Sequence, residues 1–562
     1  MAPQTSVPGL LSAPRITTLL AALLVSVGSG TNYVNLILRL IPNSLIQAYS
    51  PQLAERLNIN HTQLNVVGLG GNFGVYISGP FWGRIVDSRG PRIPFAFAFV
   101  FLFLGYTGLR HFFDAGVPPG SSLSTLGLVL LVACNFMTGA GSNSGFTGAV
   151  NSTAKTFPDK ARATTTGIVL SGFGLSAFFF STVARLLFPG DTSSLLLLLS
   201  CASLTSVAGF FFVRTVPLAP ADSGEHAVAT AVAVEAETTI FHHDHDNDSH
   251  TPLLDDVTSS SPIDEYVPAN ARGIELSPPR SLSAARAPSH VRSRSRSKQD
   301  AFEGPDVHGL ALFVNPDFWL LFVILSLLSG TGLMYINNVG SMAQALYAQG
   351  NPVYDELEVL RWQAAQVSTV SIMNCSGRII IGLISDNIKN RFGFPRSYSL
   401  VLVSTLFFCS QLLAAQITVV EDLWKASLLL GLAYGTVFGL APTVCIEFFG
   451  LSHLSENWGF LSLAPLVGGN IFSVAFGRNL DAHQPGESTT SAVATAVATA
   501  VPAAAAHQCL EGRGCYVATL GLTGAACFAT ILLSLLAAWR ERRKLLAAGA
   551  TRSRVVWEDT DD

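Results

Sequence analysis

Arg378 stands inside an apolar run, residues 364–384, with Asn374 one helical turn before it and Gly382 one turn after. A spacing of four puts all three on one helix face. A guanidinium has a planar fork that matches a carboxylate through paired hydrogen bonds. The asparagine amide beside it can donate and accept but cannot titrate. If the run crosses a membrane, an arginine there costs ~2.5–3.5 kcal/mol on insertion scales, so it marks a candidate site. Two chemistries fit. Arg378 and Asn374 bind an anionic solute, or Arg378 extends to the nearer interface and pairs with lipid phosphate or Asp386.

Two aspartates form the second group. "GRIVDSRGPR" runs from Gly83 to Arg92 and "GLISDNIKNRFGFPR" from Gly382 to Arg396. Each reads Gly-x-x-x-Asp, then basic residues and a glycine. A carboxylate at such a helix end can accept hydrogen bonds from the first N–H groups of a neighbouring helix and gains from its dipole. Asp87 and Asp386 are thus candidates for holding helices together, with Arg84, Arg89 and Arg92 as pairing partners. Ordinary solvated loop charges are the alternative.

The elements that position these groups follow from composition. Hydrophobic residues make up 49% of the 562 and charged residues 12%, about half the usual charged share of soluble domains. Apolar runs near 20 residues, long enough for ~30 Å of hydrocarbon, recur at about 16–36, 63–82, 93–110, 124–147, 164–187, 193–213, 317–341, 364–384, 397–416, 424–446, 458–476 and 516–539. This predicts an all-α membrane protein with twelve transmembrane helices. The first run is not a signal peptide, because Arg15 alone precedes it and no cleavage-like end follows.

Basic residues set the orientation. Arg84, Arg89 and Arg92 follow span two; Lys155, Lys160 and Arg162 follow span four; Lys389, Arg391 and Arg396 follow span eight; Arg540, Arg542, Arg543 and Lys544 follow span twelve. The opposite loops hold about one each, such as Arg56, Arg110, Lys425 and Arg513. Both termini are therefore expected in the cytosol. Six of the eight cysteines fall in helices; Cys509 and Cys515 share the last inter-helix loop, whose non-cytosolic position permits a disulfide.

The expected organisation is a cytosolic tail (1–15), a six-helix half (16–213), a disordered cytosolic linker (214–315), a second six-helix half (316–539) and a cytosolic tail (540–562). The linker is Ser/Pro-rich and polar and cannot bury enough apolar surface to fold alone. Its "HHDHDNDSH" is read as a solvated tract rather than a metal site, "RSRSRSK" as linker open to phosphorylation, and "DSHTPLL" as similar to an acidic dileucine sorting signal. No P-loop, HExxH or Ser/His/Asp arrangement appears, so no enzyme activity, cofactor, metal or nucleic-acid partner is expected, and ATP is not expected to be the energy source.

A second echo pairs "GTNYVN" in span one with "GLMYIN" in span seven, so the two halves read as a repeat. The repeated Gly-x-x-x-Asp-basic element resembles the loop signature of the major facilitator superfamily, and the six-plus-six layout covers the chain. "SPQLAERLNINHTQLNVVGLGGNFGVYISGPFWGRIVDSRGPR", "GTGLMYINNVGS" and "ENWGFLSLAPLVGGNIFS" resemble its nodulin-like and fungal monocarboxylate-transporter-homologue branch. The resemblance implies a transporter of the vacuolar membrane, with the plasma membrane as the other location. It makes Gly83, Asp87, Arg92, Gly382 and Asp386 gating residues that steady the outward-open state. Monocarboxylate transporters carry an Asp/Arg pair where this chain has Asn374 and Arg378, the arginine binding substrate carboxylate and the aspartate taking part in proton coupling. Here the acid is absent. One further departure is residues 35–47, "NLILRLIPNSLIQ", an extension of span one or a retained intron.

The family's cavity helices point to Asn32 and Tyr33 of span one and Tyr335, Asn337 and Asn338 of span seven as further substrate contacts, with interhelical hydrogen bonding as the alternative. Asn143 and Gln366 are weaker candidates, and Glu447 is the other acid placed for a proton. The expected function is a secondary transporter, facilitated or ion-coupled, working by alternating access on small organic anions such as monocarboxylates. The partners expected are that solute, a proton and membrane lipid. The rival readings are a transporter-fold sensor or scaffold, and a carrier of neutral or cationic metabolites.

Overall fold

In lipid every backbone N–H and C=O must be satisfied within the chain, so apolar runs of this length fold as helices. The computed structural model describes residues 9–33, 53, 56–59, 61–118, 123–188, 191–216, 306–349, 355–483, 509 and 511–558. Among these residues every regular element is helical, and ten helical segments are long and apolar enough to cross a membrane. Two spans fall short of that length for local reasons. Span one is the 17-residue helix Ala13–Ser29, prolonged by a 3₁₀ turn, Gly30–Tyr33. Span two breaks into His61–Ile77 and Gly79–Arg89, because Pro80 has no N–H for the preceding turn.

The other spans are Arg92–Ala115, Thr125–Thr156, Asp159–Leu187, the pair Thr192–Ala202 and Leu204–Phe212, Pro316–Ala348, Glu356–Phe392, Tyr398–Gln416, Leu423–Phe449, the pair Leu454–Leu461 and Ala464–Ala482, and Val517–Glu558. This is the predicted twelve-helix fold, six spans on each side of the central segment. Several helices outrun their apolar stretch; span eight has 37 residues, enough to carry its polar end beyond the hydrocarbon. Residues 35–47, nearly all of the linker with its histidine tract, its dileucine-like "DSHTPLL" and "RSRSRSK" lie outside the described residues.

Helices in lipid gain no hydrophobic drive to associate, so backbone approach through small residues carries the packing. A methyl group built at Gly431, Gly435 or Gly439 of span ten would lie 2.8 Å from the Val370 carbonyl oxygen, 2.2 Å from that of Asn374, and 2.8 Å from Arg378 Cα. The glycine row of span ten is therefore the bed on which span eight lies, and it sets the height and rotation of Asn374 and Arg378. Gly74 of span two meets Phe136 of span four in the same way, at 2.2 Å.

The two halves meet through spans five and eight and through the facing breaks of spans two and eleven. Gly79 and Gly459 cross backbone to backbone, a methyl at Gly459 falling 2.6 Å from the Gly79 carbonyl carbon. Each break is followed by a proline at the start of the next helix, Pro80 and Pro465. On the face opposite the basic loops, a disulfide joins Cys509 to Cys515 with Cα atoms 6.1 Å apart, and the other six cysteines are free.

Candidate functional site: a central cavity and two latches

Between the halves lies a partly open cavity lined by spans two, four, five, seven, eight, ten and eleven. Arg378 and Asn374 both line it. Arg378 is 4% exposed. Its Nη1 donates to the Leu170 carbonyl of span five at 2.6 Å and its Nε to Asn374 Oδ1 at 3.3 Å. The guanidinium lies between two rings, 5.9 Å from the centroid of Phe173 and 5.8 Å from that of Phe438.

Its direction is informative. The Arg378 backbone packs against Gly167 of span five, whereas its guanidinium reaches the level of Gly174. Span five enters from the basic side at Asp159, so the side chain points inward, as helix geometry favours for a residue near a C-terminal end. The basic-side surface, marked by Asp386, lies eight residues further along, about 12 Å. Extension of Arg378 to that interface is not what the structure shows.

The remaining lining is mainly aromatic and aliphatic: Tyr76, Phe146, Phe173, Tyr434, Phe438 and Trp458 share the cavity wall with the arginine, with Asn143, Ser371 and Ser462 as further polar groups. Among the described residues no acidic side chain lines the cavity. Sequence reasoning missed these rings, because aromatic residues are everywhere in membrane helices and only rotation about each axis decides which face inward.

Span seven corrects the expectation for its polar residues. The cavity is lined there by Leu333, Ile336 and Val339. Tyr335 is fully buried in the C-terminal half, its hydroxyl 3.0 Å from Ser427 Oγ, which donates to Gln366 Oε1 at 2.7 Å. Asn338 donates back to its own helix at the Met334 carbonyl, 2.7 Å. Asn337 is not among the lining residues, and its Oδ1 has no hydrogen-bond partner among the described residues. Asn32 and Tyr33 sit on the 3₁₀ turn after span one, with side chains outside the described residues. The physical reason is rotational: Gly330 and Gly332 lie against span eleven and Tyr434, which turns the polar face of span seven away from the cavity.

Below the cavity, towards the basic loops, both Gly-x-x-x-Asp elements join one half to the other. Asp87 is 4% exposed. It accepts from the Glu456 backbone N–H at 2.9 Å, from Asn151 Nδ2 at 2.7 Å and from Lys155 Nζ at 3.0 Å. Glu456 N is in the first turn of Leu454–Leu461, where backbone donors lack an intrahelical acceptor. Asp87 of the N-terminal half thus caps a helix of the C-terminal half. Gly83 permits the approach, since a methyl there would lie 2.1 Å from the Ser455 carbonyl oxygen.

Asp386 makes the corresponding link with the halves exchanged, to the second turn of Asp159–Leu187 rather than to its cap. It accepts from Ala163 N at 3.2 Å and from Thr164 N and Oγ1, both at 2.7 Å. Gly382 lies beneath the same turn, a methyl there falling 2.6 Å from the Ala163 carbonyl oxygen. Arg396 completes this side. Its side chain is 1% exposed and pairs with Asp386 at 2.9 Å, Asp159 at 3.0 Å and Glu447 at 3.0 Å. Burial works against its charge, but Glu447, Asp159 and Asp386 together hold its pKa above the ordinary arginine value. Lys389 bridges Asp159 and Glu447 at 2.7 and 2.6 Å.

The expected partners of Asp87 are corrected here. Arg84, Arg89 and Arg92 are exposed, and Lys155 makes the ion pair instead. Arg92 and Arg396 end the two copies of the repeated element, yet only the second turns inward. The signal for Arg396 was present in that correspondence; the burial that distinguishes it comes from Asp159 and Glu447, which are distant in sequence. Glu447 belongs to this cluster and does not line the cavity.

A family model described as the Major Facilitator Superfamily matches residues 18–472. An uncharacterized membrane protein of Saccharomyces cerevisiae is 24% identical over 506 residues, covering 82% of this chain and 86% of that protein. The "Probable transporter MCH1" of Wickerhamomyces anomalus is 24% identical over 438 residues, 78% of this chain and 76% of that protein. The protein of that name from Saccharomyces cerevisiae is 23% identical, covering 78% and 81%. Among solved structures, the proton:xylose symporter XylE bound to 6-bromo-6-deoxy-D-glucose aligns with a TM-score of 0.51 at 13% identity over 91% of this chain and 94% of that one. A bacterial homologue of iron transporter ferroportin, in an outward-facing state with soaked iron, aligns at 0.52 and 11% over 93% and 98%. These two likenesses bear on the fold alone.

Proposed function

This chain belongs to the major facilitator superfamily, and we propose that it is a secondary transporter of small organic anions, monocarboxylates with an apolar body foremost, working by alternating access. The observation that carries the reading is Arg378: it is the one charged side chain among the described cavity residues, and it points inward between two aromatic rings. A cation in an apolar, low-dielectric wall attracts an anion and repels a cation far more strongly than it would in water. The rings beside it suit a carboxylate with a hydrocarbon body, which they contact while the guanidinium takes the head group.

The gate supports the transport part of the reading. Both latches close the basic side while seven spans line a cavity above them, the arrangement expected of an outward-open state with the basic side in the cytosol. Coupling follows from Asn374. It holds Arg378 Nε but has no titratable proton, so transport is facilitated, or coupled to an ion through groups outside the cavity wall. The vacuolar membrane is the proposed location, on the resemblance to the fungal branch, with the plasma membrane as the alternative.

The test is uptake of labelled monocarboxylates into vesicles carrying the purified protein, with and without a pH gradient. Arg378→Lys keeps the charge and loses the fork; loss of one charge-assisted hydrogen bond, ~1.5–3 kcal/mol, lowers kcat/KM roughly tenfold to a hundredfold. Arg378→Ala abolishes uptake, and Asn374→Asp changes the pH profile. Normal uptake by a correctly located lysine variant would remove Arg378 from substrate binding.

A further inference from the structure

A second polar cluster lies on the basic side, outside the cavity and both latches. Asp306 and His308 stand just ahead of span seven, and His453 immediately precedes the helix Leu454–Leu461. Asp306 Oδ1 is 2.9 Å from His453 Nδ1 and 3.4 Å from His308 Nδ1. One ligand-capable atom from each of the three side chains falls within 4.8 Å of the others. The segment is held in place by its backbone: Val307 N donates to the Phe449 carbonyl at 3.0 Å, and Asn457 Nδ2 donates to the Val307 carbonyl at 2.8 Å.

We propose that Asp306, His308 and His453 bind a divalent transition-metal cation of the zinc type, which fixes the loop that the Asp87 latch grips. Two imidazole nitrogens and one carboxylate oxygen are a donor set suited to zinc or cobalt rather than to calcium or magnesium, which take oxygen ligands. Tetrahedral bonds of ~2.0–2.1 Å place neighbouring ligand atoms about 3.3 Å apart, close to the two distances seen. Solvent reaches the site, with Asp306, His308 and His453 side chains 42%, 45% and 32% exposed, so a cation can enter and keep a water as fourth ligand. The two rings lie 3.7 Å apart at 15°. A cation in the plane of both requires them to splay, and the exposed His308 ring has the room.

The consequence concerns the gate. Residues 452–456 present the surface that the N-terminal half holds: Ser452 O accepts from Lys155 Nζ at 3.2 Å and Glu456 N donates to Asp87 at 2.9 Å. Asp306 and His308 enter the site from the chain leading out of the central linker. A cation there ties that chain to the gate loop within the C-terminal half. It presets the loop for the closed basic side.

The test is titration of the purified full-length protein with Co²⁺, on a background in which His242, His243, His245 and His250 are alanine. Those histidines lie outside the described residues and would otherwise compete for the ion. The expected result is a tetrahedral Co²⁺ visible spectrum at one equivalent, displaced by Zn²⁺ and not by Mg²⁺. His308→Ala and His453→Ala should each weaken it by more than about tenfold, with unchanged melting in the absence of metal. His308→Ala keeps the test valid if His453→Ala misfolds, because that ring is exposed. No such spectrum, or one indifferent to both substitutions, would overturn the site. Spin labels at Arg89 and Ser452 read the second half of the proposal. Zn²⁺ should narrow their distance distribution in the parent and not in His308→Ala, and an unchanged distribution at full occupancy would overturn the link to the gate.

Discussion

Gly83→Ala isolates the latch from everything else the repeated element does. The methyl group would lie 2.1 Å from the Ser455 carbonyl oxygen, 2.5 Å from the Ser455 carbonyl carbon and 2.8 Å from Glu456 N. All three are backbone atoms of a helix start, so no side chain can rotate away. Relief to an ordinary C···O contact of about 3.3 Å needs a separation on the order of 1 Å between spans two and eleven. The Glu456 N–H to Asp87 bond is 2.9 Å and hydrogen bonds of this kind end near about 3.2 Å, so it is lost. A bond to a charged group contributes ~1.5–3 kcal/mol, and ~1.4 kcal/mol is tenfold in an equilibrium. The population with the basic side closed should fall roughly tenfold to a hundredfold. Folding should survive, because alanine is the better helix former by ~0.8–1.0 kcal/mol. The assay is the distance distribution between spin labels at Arg89 and Ser452, with Gly521→Ala as control, since nothing lies within 4 Å of a methyl there. A Gly83→Ala protein with the parent's distances and uptake would refute the latch as described.

Arg396→Ala should leave Asp159, Asp386 and Glu447 facing one another without their shared cation. Breaking a buried pair costs ~3–5 kcal/mol, so the melting temperature in detergent should drop clearly; an unchanged melting curve would mean that Lys389 and Arg162 suffice. Cys509 and Cys515 should resist alkylation until reduced, and a free thiol at either in the native protein would count against the disulfide described.

Much of the architecture was legible because lipid makes it a local property. A chain in hydrocarbon must close its own backbone hydrogen bonds, so the lengths of the apolar runs predicted twelve helices without reference to packing. The two Gly-x-x-x-Asp elements were legible for a similar reason: a glycine and a carboxylate four apart have one face and one helix end to serve. Arg378 was conspicuous because its environment had to be apolar.

Which way a side chain faces was not legible, because rotation about a helix axis is set by the neighbour. Tyr335 and Asn338 look like cavity groups in sequence, yet Gly330 and Gly332 seat span seven so that Leu333, Ile336 and Val339 face the cavity instead. The six rings that line the cavity come from spans two, four, five, ten and eleven, and no local pattern links them. Arg396 reads as one more loop charge until Asp159, Asp386 and Glu447 converge on it from three helices. By itself the sequence determined the spans, their pairing into halves and the chemistry available at Arg378 and at the two aspartates. Only the tertiary structure decided that Asp87 caps a helix of the opposite half, that Asp386 bonds to the N-terminal part of another, and that the arginine points inward, because these depend on backbones separated by hundreds of residues meeting at a glycine.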